Sequence, residues 1–436
     1  MTLLFMGILS LTFEIQPVEA SETIYIKADG SVEGTTDISS VDNVTYTFTD
    51  NINDEIIIER DNIVVDGTGY TVQGTQAYDS RGINLSERSN VTIKNMTIKA
   101  FYYGIWLNYS SDNSIVGNNV TENNWYGIML EYSSNNTISW NNITANQEGI
   151  RLYRSSNNLL RGNTIKNNGD GIVFWISCSN NRIYKSNITN NTHCNVWIQE
   201  SSENVIAGNH IADSEWGIGF DYSSNNKVYH NNFAANDRQV VFINARINIW
   251  DDGYPSGGNY WSNYTGVDLL DGGDGIGDSA HVIDADNQDN YPLMGPISFF
   301  NAGTWDEVTY YVYTVSNSTV SHFHFSESNK LVSFNVTGLN DTLGFCRVAI
   351  PRELLWCEDI FDWSVRVNET SVPIRIQEDP DYTYTYFTYS HSVQNVKIYG
   401  TQVIPEFPAW TSILLTLIVL TVAIVIYKRR LETASR

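Results

Sequence analysis

Glu148 and Asp170 each stand directly before a Gly-Ile dipeptide, at the same place in successive units of a repeat. A fold that repeats at that interval places them in one column on neighbouring turns, about 5–6 Å apart, near the carboxylate separation of retaining glycosidases. Carboxylates that close raise one another's proton affinity, so one can serve as acid and the other as base. Arg151, Arg154 and Glu131 fall beside the pair, and Tyr126, Tyr153 and Trp175 are near enough to hold a sugar. A lyase would instead want an Arg or Lys base with acids holding calcium. The carboxylate pair occurs at one place in the chain, so the pattern favours binding over turnover.

The same alignment generates columns of other residue types. The residue after each Gly-Ile runs Asn84, Trp106, Met129, Arg151, Val173, Trp197, Gly219, and two positions on it runs Ser86, Asn108, Glu131, Tyr153, Trp175, Gln199, Asp221. The residue before each Gly runs Tyr103, Tyr126, Glu148, Asp170, Cys194, Trp216. Flat rings stack on the apolar faces of sugars, and amides and carboxylates bond to hydroxyls. Trp106, Tyr126, Glu131, Tyr153, Trp175, Trp197 and Trp216 are therefore the candidate polysaccharide-binding residues, and Glu148, Asp170 and Arg151 the candidate catalytic ones.

These columns require a repeat. Gly82-Ile-Asn-Leu, Gly104-Ile-Trp-Leu, Gly127-Ile-Met-Leu, Gly149-Ile-Arg-Leu, Gly171-Ile-Val-Phe, Asn195-Val-Trp-Ile and Gly217-Ile-Gly-Phe follow one another at nearly constant intervals. Ser-Ser-Asn-Asn turns recur from Ser133, Ser155 and Ser223, and 31 of the 49 asparagines lie between residues 101 and 250. The segments alternate with period two and none carries a 3.6-residue apolar stripe, which excludes helical repeats. Short strands separated by Asn turns at about 22 residues per unit predict an all-β, right-handed parallel β-helix of about eight coils. Asn suits this twice over: it tolerates left-handed turns, and its side chains can bond along a stack.

The run Asn62-Ile-Val-Val-Asp66-Gly-Thr-Gly69-Tyr-Thr-Val-Gln-Gly74, with the repeats after it, resembles the NosD-type carbohydrate-binding and sugar-hydrolase (CASH) group of β-helix proteins. Gly257-Gly-Asn-Tyr-Trp-Ser-Asn-Tyr-Thr-Gly266, Asp274-Gly-Ile-Gly-Asp278 and Asp289-Asn-Tyr-Pro-Leu-Met294 resemble the segment that closes many archaeal members, and Pro405-Glu-Phe-Pro408 resembles a PEF-type archaeal surface-sorting signal. Asp268, Asp271, Asp274 and Asp278, interleaved with glycines, form a candidate calcium loop of hard oxygen ligands. Gly272 stands where related segments carry a ligand Asp. NosD itself is associated with copper-site maturation of nitrous oxide reductase. Copper needs gathered His, Met or Cys, and the seven His are scattered, with only His322 and His324 sharing a strand face. Copper function therefore does not carry over on these residues.

The remaining segments frame the repeat. Residues 1–20 read as a signal peptide, 21–74 as an N-terminal β cap, 75–250 as the β-helix, 251–298 as the closing segment and 299–402 as a β-sandwich. In 403–436, the uncharged run from Ala409 to Tyr427 precedes Lys428-Arg429-Arg430 and is long enough to span a bilayer, which predicts a single-pass anchor with a cytoplasmic C-terminus. Cys346 and Cys357 are expected to form a disulfide in an exported chain. Cys178 and Cys194 could pair or pack as buried thiols. Lys and Arg total 25 against 49 Asp and Glu, a net charge of -24, which excludes nucleic acid as a partner. Fifteen Asn-x-Ser/Thr sequons fit an extracellular, glycosylated surface. The expected function is non-catalytic glycan binding or adhesion at the cell surface. A polysaccharide lyase or glycoside hydrolase, and an accessory protein for an extracytoplasmic metalloenzyme, are the alternatives.

Overall fold

The computed structural model describes residues 23–244, 246–404 and 416–422. Its larger part is a right-handed parallel β-helix of about nine turns. Three sheets of eleven, nine and ten strands run along the solenoid. The first contains the Gly-Ile strands, including Tyr103–Asn108, Tyr126–Glu131, Glu148–Tyr153, Asp170–Trp175, Cys194–Gln199 and Trp216–Asp221. Each pairs in parallel register with the next, Ile105 with Ile128 and Leu107 with Leu130. Parallel pairing already begins at Ile24–Ile26, which adds coils ahead of the first Gly-Ile unit. Short antiparallel strands at Val32–Glu33 and Ile38–Ser39 cover that end, shielding backbone groups that would otherwise template aggregation.

The repeat residues divide the work of each coil. Inward Ile, Leu and Val from all three sheets make one continuous core, with Ile105, Leu107, Ile128, Leu130, Ile150 and Leu152 fully buried. Glycine precedes the Ile because nothing larger fits: a Cβ at Gly104 would stand 2.5 Å from the Gly127 carbonyl oxygen and 2.8 Å from Asn123 Nδ2. In the Asn-Asn pairs of the Ser-Ser-Asn-Asn turns and their Cys-Ser-Asn-Asn equivalent, the first member takes the left-handed turn, with φ near 60° at Asn135, Asn157, Asn180 and Asn225. The second turns inward. Asn113, Asn136, Asn158, Asn181, Asn204, Asn226 and Asn248 form a buried ladder, each Nδ2 donating to the next Oδ1 at 3.0–3.2 Å. Each Oδ1 also accepts the backbone N–H of the preceding ladder residue, as Asn158 does from Asn136 at 2.8 Å. A second ladder passes through Asn118, Asn141 and Asn163, and a third through Asn123, Asn146, Asn168 and Asn191. Where Asn195 replaces the repeat glycine, its amide bonds to Ala212 O and Asn236 Oδ1 and so joins the third ladder.

The C-terminal end of the solenoid is plugged by Trp250 and Trp261, each 1% exposed. Trp261 stacks on Phe233 at 4.5 Å. Asp289 secures this end: it accepts from the Asn259 backbone N–H at 2.7 Å, Trp261 Nε1 at 2.8 Å and the Tyr291 N–H at 3.0 Å. Beyond it, two five-stranded antiparallel sheets share one core that includes Val312, Phe334, Val348, Val365, Phe387 and Val396. They are joined to the solenoid by reciprocal bonds between Asn232 and Ile297, both 2.8 Å, and by the buried Arg347, which donates to the Asp274 and Pro255 carbonyls.

One expectation needs correction here. The Cys346–Cys357 bridge does not form, and all four cysteines are free. Cys346 is buried in the core beside Ser316, whereas Cys357 lies against Thr401, so the two thiols occupy different parts of the unit. Residues 1–20, read as a signal peptide, and most of the segment from Ala409 to Tyr427 lie outside the described residues. Residues 416–422 are helical, and among the described residues no helix is long and apolar enough to cross a membrane.

Asn158→Ala strips a partner from the buried Asn136 N–H and the Ser133 carbonyl, and is expected to cost about 2–4 kcal/mol in chemical denaturation. Asn142→Thr, at an exposed strand position, should stay within about 0.5 kcal/mol. Burial pushes the Asp289 carboxyl up to about 7. The native state then holds a proton that the unfolded chain releases near its ordinary value of 3.8, so this contribution to stability is full below that value and is lost as pH rises through the folded value. Denaturation of wild type and Asp289→Asn across pH 4–8 should show their stability difference shifting toward the variant as pH rises.

Candidate functional site

The outward columns of the first sheet are in register from Arg81 to Asp221. The centre of the middle column is covered even though it points away from the core: Met129, Arg151 and Val173 are 7%, 6% and 4% exposed, whereas Trp106 and Trp197 toward its ends stay half-buried. Longer side chains of the two flanking columns close over it. The face is thus a floor of packed groups with partly exposed rings and polar groups along both sides.

Glu148 and Asp170 are register partners on adjacent strands, but each has a different companion. Arg151 Nη1 donates to both Glu148 oxygens, at 2.6 and 2.9 Å, and its guanidinium lies 3.6 Å from the centroid of the Trp175 ring. Burial raises the Glu148 carboxyl above its ordinary range, partly offset by Arg151. Asp170 Oδ1 instead meets His193 Nδ1 at 2.8 Å and accepts the Cys194 N–H at 3.1 Å. The His193 side chain is 47% exposed and packs on Trp216 at 4.3 Å. Spacing alone did not single out His193, since it precedes the aligned column. Its signal was the position one coil above Gly169, next to the Asp170 column.

The aromatic candidates form two groups. Tyr103 contacts Trp106 and Tyr126 at 6.2 and 5.5 Å, and Arg81, also missed in the sequence, caps Trp106 at 4.0 Å. Burial pushes Tyr103 up to about 12, and burial and then the Glu148 charge raise Tyr126. Trp197 and Trp216 sit 5.8 Å apart, with Trp197 lying over Gly219, where a Cβ would come within 2.4 Å of the indole. Tyr153 packs edge-on against Tyr132, and Glu131 is its register partner. Trp175 is 36% exposed, and the flanking Trp125 and Tyr109 are 41% and 60% exposed.

The acidic loop uses its carboxylates on its own backbone. Asp268 accepts from the Asp274 and Gly275 N–H groups, Asp278 from those of Leu269 and Leu270, and Asp274 from Ile276 N and Tyr254 Oη. Asp271 points to solvent, 3.9 Å from Arg375. Among the described residues no group of three or more His, Cys, Asp or Glu converges as a metal site.

A family model described as periplasmic copper-binding protein (NosD) matches residues 19–195 and 184–266. No curated protein matches the chain. Similar solved structures include a point mutant of the periplasmic alginate epimerase AlgG, 18% identical over 48% of this chain and 68% of that one, with a TM-score of 0.38. An alginate lyase from Paenibacillus sp. str. FPU-7 is 13% identical over 50% of this chain and 97% of that one, at 0.34. The enzymatically active domain of bacteriophage CBA120 tailspike protein 2 is 12% identical over 80% and 74%, at 0.40. The described residues do not fit the copper of the family's description. The buried thiols Cys178 and Cys194 face the Leu152 and Val196 carbonyls, His193 is engaged by Asp170, and no further ligand group gathers around them.

Arg151→Met should strand a buried carboxylate and cost about 3–5 kcal/mol, whereas the paired change Arg151→Met/Glu148→Leu should recover most of that loss. Urea denaturation of the three variants beside wild type, Glu148→Leu alone included, measures it.

Proposed function

The chain belongs to the NosD family, and from that premise we propose that it is an exported β-helix protein that binds glycans along its first sheet without cleaving them. The observation that carries this reading is the run of rings and amides held in register over successive coils with part of each ring left in water. Rings that served only to stack on one another would be expected to close their exposed sides, yet Trp175 is 36% exposed and Trp106, Tyr126, Trp197 and Trp216 are only half-buried. Asn108 and Glu131 on one side and Gln199 on the other flank the Tyr153–Trp175 pair in one column and supply partners for hydroxyls. The Glu148–Arg151 pair supports this as a structural element of the floor, since each charge is already satisfied by the other. The periplasmic placement in the family description supports export. The segment from Ala409 to Tyr427 would hold the protein at the envelope.

A second reading rests on Asp170 and His193. A carboxylate 2.8 Å from a half-exposed imidazole orients that ring as a general base, which a glycoside hydrolase or polysaccharide lyase would use.

The test incubates the protein with immobilised uronic and neutral polysaccharides and scores retention and new reducing or unsaturated ends in one tube. Trp106→Ala/Trp197→Ala should lower retention on the neutral polymers at least tenfold with an unchanged melting transition, and no new ends should form on any polymer. Unchanged retention would return the rings to a packing role. New ends that vanish in His193→Ala would establish the second reading in place of the first.

A further inference from the structure

Away from the first sheet, a cleft of about 640 Å³ opens between the flank of the solenoid and the C-terminal sheets. Arg161 and Arg182 come from adjacent coils, on strands that pair Leu159 with Arg182 and Arg161 with Tyr184. Lys185 follows directly. Phe299 and Tyr311 reach in from the opposite unit. The Lys185 ammonium lies 2.9 Å from the centroid of the Tyr311 ring, 4.9 Å from that of Phe299 and 5.2 Å from that of Tyr184. Arg161 Nη2 donates to Tyr311 Oη at 2.7 Å, while its Nε is buried without a partner.

Three cations therefore line one cleft with no carboxylate bound to any of them among the described residues. The acids of the cleft do not fill this gap. Asp252 is held by Lys227 at 2.5 Å and by Ser256 at 2.8 Å, Glu353 accepts from Tyr310 Oη at 3.0 Å, and Asp381 lines the wall without pairing to a cation. This occurs in a chain with 49 acidic and 25 basic residues, where chance favours acid next to base. Like charges gathered in a partly dry cleft repel one another, and an incoming anion removes that cost. Burial and the neighbouring Arg161 push Lys185 down to about 7, the same imbalance seen from the proton's side.

We propose that this cleft is a second binding site, which takes an anionic sugar unit, a uronate or a sulfated residue, on Arg161, Arg182 and Lys185 with Tyr184 and Tyr311 as its aromatic walls. The volume falls within the range of small-ligand sites. Planar guanidinium groups suit carboxylate and sulfate oxygens, and the rings beside them suit the body of a sugar. The site lies on other sheets than the Trp106–Trp216 face and does not depend on it.

Equilibrium binding of the full chain to fluorescent uronate, sulfated and neutral oligosaccharides tests it, with inorganic sulfate as competitor. Acidic oligomers should bind at least tenfold more tightly than neutral ones. Arg182→Gln, at an exposed strand position that preserves the fold, and Lys185→Met should each weaken acidic binding at least tenfold. Asn142→Thr, an exposed position outside the cleft, should leave it unchanged. Acidic binding that survives both cleft variants, or that shows no preference over neutral oligomers, would overturn the site. So would binding of inorganic sulfate with no acidic oligomer bound.

Discussion

The interior asparagine ladders are the constraint on which the rest of the protein depends. A turn that bends the chain through a sharp corner leaves backbone groups unpaired inside the coil, and buried unpaired groups are costly. Each ladder amide answers the backbone N–H of the coil before it, donates to a carbonyl there, and bonds to the amide of the coil after it. The arrangement works only if an Asn, or a Ser as at Ser186 and Ser214, arrives at each of these corners, which enforces the repeat. Extra residues are absorbed between corners, so coils of slightly different length keep a common register.

That register makes columns on the outside, and columns bring charges close together. The solenoid deals with this by pairing across columns. Glu148 is neutralised by Arg151 on its own strand and shielded by Trp175, while Asp170 turns to His193. Two carboxyl groups that look equivalent by spacing thus have different surroundings, one dry and ion-paired, the other beside solvent and an imidazole.

The ends of the solenoid need separate solutions, because the last coil has no successor. Trp250 and Trp261 close the core, and Asp289 ends the second ladder by taking the Asn259 N–H where a further Asn would stand. This explains the Gly257–Gly258 and Asp289 motifs physically: a Cβ on Gly258 would stand 1.8 Å from Asp289 Oδ1. Arg347 then ties the closing segment to the C-terminal sheets through carbonyl oxygens, and the cleft lined by Lys185 is a consequence of that docking.

The sequence by itself determined the β-helix, its period, the inward Ile and Leu, the double role of the Asn pairs and the membership of each outward column. All of these follow from a local rule applied once per coil, and repetition makes a local rule visible. Tertiary structure alone decided that the centre of the middle column is covered, that Glu148 belongs to Arg151 and Asp170 to His193, that Cys346 and Cys357 remain apart, and that the loop aspartates cap their own backbone. It alone brought Phe299 and Tyr311 against Lys185 from far along the chain. These outcomes depend on which side chain reaches which neighbour first and on how two separately cored units meet. No periodicity encodes such a meeting, because it happens once.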